Sequence, residues 1–83
     1  MNEDLRSTQI DLLVKVKQVS ESDVYKAASI AQLSKEEGRT YESIQNSLQV
    51  LLKGHWVERV FRGRYRLTSK AEDLLAGIMD TEG

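Results

Sequence analysis

Two stretches of the 83-residue chain carry side chains suited to chemistry on a polyanion. In the first, Glu42, Gln45, Asn46 and Gln49 fall on one side of a helical repeat, opposite Ile44, Ser47, Leu48 and Leu51. Purely solvating faces more often carry Glu and Lys. Asn and Gln can exchange two hydrogen bonds with the major-groove edge of adenine, so this amide-rich face suits base reading. The alternative is an uncommitted polar face. In the second stretch Arg59, Arg62, Arg64 and Arg66 cluster around Gly63, and guanidinium groups pair well with phosphate oxygens. Here the alternative is a solvated surface of mixed charge.

Other chemistry has little to work with. The chain has no cysteine and a single histidine, His55. Disulfides, thiolate metal sites, thiol nucleophiles and two-histidine mechanisms are therefore excluded. Glu58 follows His55 by three residues, a spacing that sends the two side chains to opposite faces of a strand. No glycine-rich phosphate loop, metal-ligand cluster or nucleophile–base pair is present. Neither catalysis nor any cofactor or metal is expected. His55 is read as capping the last carbonyls of the preceding helix, or as one more phosphate contact.

A mass of 9.4 kDa with 40% hydrophobic and 30% charged residues describes a folded chain with a thin core. A single domain over residues 1–83 is expected, with a core about 7–68 and a C-terminal helix about 70–79. The longest apolar run is Leu12-Leu13-Val14, too short for a membrane span or a signal-peptide core. The net charge is −1 and the pI about 5.8, which taken alone argues against a nucleic-acid partner. The distribution argues otherwise. Residues 39–70 carry seven bases against Glu42 and Glu58, a net of +5, between ends of −2 and −4. Local potential, not the total, attracts a polyanion.

Capping residues and glycines punctuate the chain, and proline is absent. Ser7 is a plausible N-cap for a helix running to about Gln18. Ile10, Leu13, Val14 and the stem of Lys17 form one apolar stripe, and Leu5, Leu12, Val16 and Val19 a second. A single wide buried face and a dimer seam explain the pair equally well. Ser20 to Asp23 reads as a loop and Val24-Tyr25-Lys26 as a short extended piece. Ser29 caps a second helix with Ile30, Ala31 and Leu33 inward, stopped by Gly38. Thr40 caps a third, from about Tyr41 to Lys53, ended by Gly54. His55–Arg62 and Arg64-Tyr65-Arg66-Leu67 form a hairpin reversing at Gly63, with Tyr65 and Leu67 toward the core and Arg64 and Arg66 toward water. Ser69 and Glu72 form a capping box for a fourth helix bearing Ala71, Leu74, Leu75, Ile78 and Met79.

The order helix, short strand, helix, helix, hairpin, helix resembles the winged helix-turn-helix superfamily. The stretches that carry the likeness are Ser29 to Leu33, Ile44 to Leu51, Gly54-His55-Trp56-Val57-Glu58-Arg59-Val60, and Arg62-Gly63-Arg64-Tyr65-Arg66-Leu67-Thr68. It covers roughly residues 24–70 and implies an α+β, mostly helical fold: a three-helix core, a β-hairpin wing and a C-terminal helix. Ile30 to Ile44 is longer than the superfamily usually has, so either the second helix gains a turn or the connection is extended.

The resemblance implies binding of double-stranded DNA, most simply for transcription regulation. The third helix would enter the major groove, with Arg39, Thr40 and Tyr41 at phosphate or nearby base edges and Gln45, Asn46 and Gln49 deeper. The Tyr41 ring could equally pack inward. Arg62 and Arg64 would follow the backbone or enter the minor groove, with Arg59, Arg66 and Lys53 on phosphates. A homodimer through the first and fourth helices (Leu5, Leu12, Val16, Val19, Leu75, Met79) would double the contact. A cytoplasmic location in a bacterial, archaeal or viral host cell is implied. The competing expectations are a protein-binding adaptor of the same shape, or a DNA-binding accessory factor of replication, excision or partition.

Overall fold

Helix termini set the architecture, and most are fixed by local chemistry. The computed structural model describes the backbone of residues 6–82 and the side chains of residues 6–77. The elements are α1 (Ser7–Ser22), β1 (Ala28–Ser29), α2 (Ile30–Glu37), α3 (Tyr41–Lys53), β2 (Val57–Phe61), β3 (Arg64–Leu67) and α4 (Ser69–Glu82). Ser29 caps α2 as expected, its Oγ accepting from the Gln32 N–H at 3.1 Å. The left-handed Gly38 (φ 66°) ends that helix. Thr40 caps α3 through the Ser43 N–H, also at 3.1 Å. The extra residues between Ile30 and Ile44 lie in α2, which takes in Glu36 and Glu37 and leaves a three-residue connection, Gly38 to Thr40.

Five boundaries differ from the sequence reading, one being the first strand of the hairpin, which runs Val57–Phe61 where His55–Arg62 was the expectation. The N-cap of α1 is Arg6, whose N–H donates to Gln9 Oε1 at 2.9 Å, and Ser7 is the first helical residue. The same helix runs through Ser20, Glu21 and Ser22, where a loop was expected. Lys17 and Glu21 pair across its last turn at 2.8 Å, an i, i+4 contact that favours continuing the helix. Val24 to Lys26 form a turn, and the strand lies at Ala28–Ser29. α4 is capped by Thr68, whose Oγ1 accepts from the Ala71 N–H at 3.4 Å, so Ser69 is already helical.

The sheet order is β1-β3-β2, antiparallel throughout. Tyr65 stands opposite both Ala28 and Arg59, and Leu67 opposite Val57. Side-chain alternation along β3 therefore turns Tyr65 and Leu67 into the core, where both are buried. Leu12, Leu13 and Val16 from α1 meet Ile30, Leu33, Ile44, Leu48 and Leu51 beneath this sheet, and Ala71 and Leu75 of α4 complete the cluster. Ala31, expected inward, is exposed.

The two stripes of α1 are one wide buried face. Leu12 and Val16 have no exposed surface, Leu75 has 2%, and Val19 packs against the same cluster. The expected dimer seam fails at Leu12, Val16 and Leu75, since their surface is consumed by the chain's own core. Leu5 and the side chains of Ile78 and Met79 lie outside the described residues.

Candidate nucleic-acid interface

α3 is held from below by Ile44, Leu48 and Leu51, each without exposed surface. That leaves Glu42, Gln45, Asn46, Gln49 and Lys53 exposed along its outer side. Among the described residues none of these five side chains has a hydrogen-bond or ion-pair partner. Tyr41 is 52% exposed at the first turn, so its ring does not pack inward. Thr40 is exposed but its hydroxyl is engaged as the cap.

Arg39 is half-buried along the flank of α3. Its Nη2 donates to Ser43 Oγ at 2.8 Å and to Ser47 Oγ at 2.7 Å, and its Nε to Ser43 Oγ at 3.0 Å. Ser34 of α2 in turn donates its hydroxyl to the Arg39 carbonyl. These bonds fasten the α2–α3 turn to both helices, which explains why Ser47 sits in an otherwise apolar stripe. Among the described residues the charge of Arg39 has no ion-pair partner.

The far end of α3 is fixed by a corner built around Trp56. Gly54 has an ordinary φ of −84°, and the left-handed residue is His55, at 63°. Glycine is required at position 54 for space: a Cβ there would lie 2.7 Å from Trp56 Cδ1 and 2.8 Å from Nε1. Lys70 of α4 donates to the Gly54 carbonyl at 2.8 Å and places its Nζ 4.2 Å from the Trp56 ring centroid. A cation at a helix C-terminus and over an indole face is favoured twice. Thr68 Oγ1 donates to the His55 carbonyl at 2.7 Å. Capping at this end thus comes from Lys70 and from backbone N–H groups of residues 54 to 56, and not from the His55 side chain.

The wing departs most from expectation. Phe61 stands opposite Arg64 across a two-residue tip, Arg62-Gly63, with a bulge at Val60 between the Arg59 and Phe61 pairings. Gly63 alone is left-handed (φ 73°), whereas a type I′ hairpin turn needs two such residues. Arg64 is not at a free tip: its Nη1 lies 3.1 Å from Asp23 Oδ1, and the guanidinium stacks 5.1 Å from the Tyr25 ring centroid. Arg66 pairs with Glu58 directly across the ribbon, Nε to Oε2 at 2.6 Å. Arg64, expected on the backbone or in the minor groove, and Arg66, expected on phosphate, each meet a carboxylate of the chain itself. Arg59 and Arg62 are exposed and, among the described residues, unpaired.

Two features had no signal in the sequence. Arg6 and Gln9 of α1 share a shallow groove with Asn46 and Val50, bringing a further cation beside the amide face. Asp23 and Tyr25 reach the wing across some forty residues of chain. Only tertiary packing creates either neighbourhood.

No family model and no curated protein matches the chain. A solved structure does: IdeR of T. acidophilum, similar at a TM-score of 0.64 with 20% sequence identity, over 82% of this chain. The chain spans about 30% of the length of that protein. Among the described residues no helix is long and apolar enough to cross a membrane. Four helices with a β1-β3-β2 sheet, a hairpin closing at Gly63, and the likeness to IdeR lead to one conclusion: the chain has the winged-helix fold.

Proposed function

We propose that the chain binds double-stranded DNA and acts in transcription regulation. α3 lies in the major groove and the tip of the wing on the backbone or in the minor groove. The observation that carries this reading is the outer side of α3, where Gln45, Asn46 and Gln49 are exposed and uncommitted on a helix whose other side is fully seated. Amides without internal partners are free to meet base edges.

Roles follow from what each side chain is free to do. Gln45, Asn46 and Gln49 read bases. Lys53, Arg59 and Arg62 neutralise phosphates and supply affinity without sequence information. Tyr41 and Thr40 meet the backbone at the entry to the groove. Arg39 holds the α2–α3 turn and adds to the local positive potential. One module of this size buries about 600–1,000 Å² of protein surface on DNA, too little for high specificity. Two copies on half-sites about one helical turn apart supply the remainder. Their mutual contact excludes Leu12, Val16 and Leu75, which are buried within each copy.

A protein-binding adaptor would need a contiguous apolar patch on α3. Tyr41 and Val50 are its exposed apolar residues, and they lie roughly two and a half turns apart on opposite flanks. Fluorescence anisotropy with a random duplex separates the two readings. Binding that weakens steeply with added salt is expected, and a flat response at low salt would overturn the DNA reading. Selection from randomised duplexes then yields the recognised sequence.

A further inference from the structure

Asp23 contacts the wing from outside the basic segment. Its side chain is only 10% exposed and both carboxylate oxygens are used. Oδ2 accepts from the Tyr25 N–H at 2.8 Å, shaping the turn after α1, and Oδ1 accepts from Arg64 Nη1 at 3.1 Å. The same nitrogen reaches the Ala27 carbonyl at 3.5 Å. Tyr25, placed by that turn, lies under the Arg64 guanidinium and meets Phe61 edge-on, with ring centroids 5.5 Å apart at 75°. One carboxylate thereby grips the first residue of β3, and the ring it positions supports the last residue of β2. The turn contains Lys26 at φ 57°, a conformation that persists in a non-glycine residue only where its surroundings impose it.

We propose that Asp23, Tyr25 and Arg64 form a clasp that fixes the direction of the wing, with Arg64 a positioning residue for Arg62 and not a phosphate contact. Its consequence for binding rests on the DNA reading given above, whereas the clasp itself does not. The tip is tied to the body through the two-residue β1 and the Ile30–Gly63 hydrogen bond, and the bulge at Val60 interrupts the β2–β3 pairing beside it. Without the clasp, ordering of the tip would be deferred to the binding event, which lowers affinity. The charge of Arg64 is already met by Asp23, so its removal releases no additional counterion from DNA.

Hydrogen exchange and salt-dependent binding test this together. In Asp23→Asn and in Arg64→Ala, exchange of the Ile30 amide, which donates to the Gly63 carbonyl at 3.1 Å, and of the β1–β3 ladder is expected to quicken roughly fivefold. Amides within α3 serve as the internal reference and keep their rates. Arg64→Ala is expected to weaken binding of a random duplex roughly fivefold at an unchanged slope of log affinity against log salt, whereas Arg62→Ala flattens that slope by about one unit. A slope flattened by about one in Arg64→Ala would place that arginine on a phosphate and overturn the proposal. Unaltered exchange in Asp23→Asn would overturn it too. If the wild-type chain shows no salt-dependent duplex binding, the DNA reading falls, and the exchange rates still decide the clasp.

Discussion

α3 and the β2–β3 ribbon carry comparable inventories of recognition side chains, and folding treats them in opposite ways. On α3 the apolar stripe takes all the packing, so Gln45, Asn46, Gln49 and Lys53 are left exposed with no partners among the described residues. On the ribbon two of four arginines are used internally, Arg64 by Asp23 and Arg66 by Glu58. A helix separates its buried and outer sides by wide angles. In a strand, alternate residues share a face with their cross-strand neighbours, so a charge at period two meets whatever stands opposite it. A run of arginines in a strand is therefore a weaker sign of a polyanion site than a polar face on a well-seated helix.

Several substitutions would break or sharpen that contrast. The largest effect is expected from Leu48→Ala beneath α3, about 2–5 kcal/mol of stability lost by urea denaturation; Phe61→Ala, on a ring 51% exposed in the ribbon, should cost under about 1 kcal/mol. Comparable losses would mean that the wing is as deeply anchored as the helix. Gly54→Ala forces a Cβ against the Trp56 indole and should destabilise by roughly 1–3 kcal/mol; a neutral melting curve would show that the corner yields easily.

On DNA, Asn46→Ala or Gln49→Ala should cost about 1–3 kcal/mol on a selected site and little on random duplex. Equal losses on both would remove base reading from this face. Arg59→Ala with Arg62→Ala should flatten the salt slope by about two units, and Arg64→Ala with Arg66→Ala should leave it unchanged. Identical slopes for the two pairs would erase the distinction between free and occupied arginines.

The smallest effect concerns Lys17, remote from both regions. Its hydrogen bond to Glu21, reinforced by the carboxylate charge, raises its pKa above 10.5. The folded value exceeds the unfolded one, so the slight stabilisation is fully present below pH 10.5 and is lost as pH rises through the raised value. Alkaline melting curves of Glu21→Gln and wild type should converge there, and a persistent gap would assign the pair another role.

Much of the fold was legible in the sequence because its signals are local. Ser29, Gly38 and Thr40 mark helix ends through bonds spanning three to five residues, and Gly63 permits the reversal by its backbone alone. The errors arose where a side-chain contact outweighs what the residue types alone suggest. The end of α1 reads as polar loop until Lys17 meets Glu21, and the cap of α4 belongs to Thr68, which also ties that helix to the carbonyls of His55 and Trp56. Gly54 looks like a left-handed stop, yet it is small because the Trp56 ring lies against it.

The candidate interface divides along the same line. Helical periodicity by itself determined which side of α3 is apolar and which bears amides, and strand alternation determined that Tyr65 and Leu67 turn inward. Those are properties of a repeating backbone, written within a few residues. Which arginines remain free was decided by tertiary structure, because Asp23 lies forty-one positions from Arg64 and because the two apparent stripes of α1 merge only when α2, α3 and the sheet close over them. Charge and surface are available to a partner only after the chain's own contacts have been satisfied.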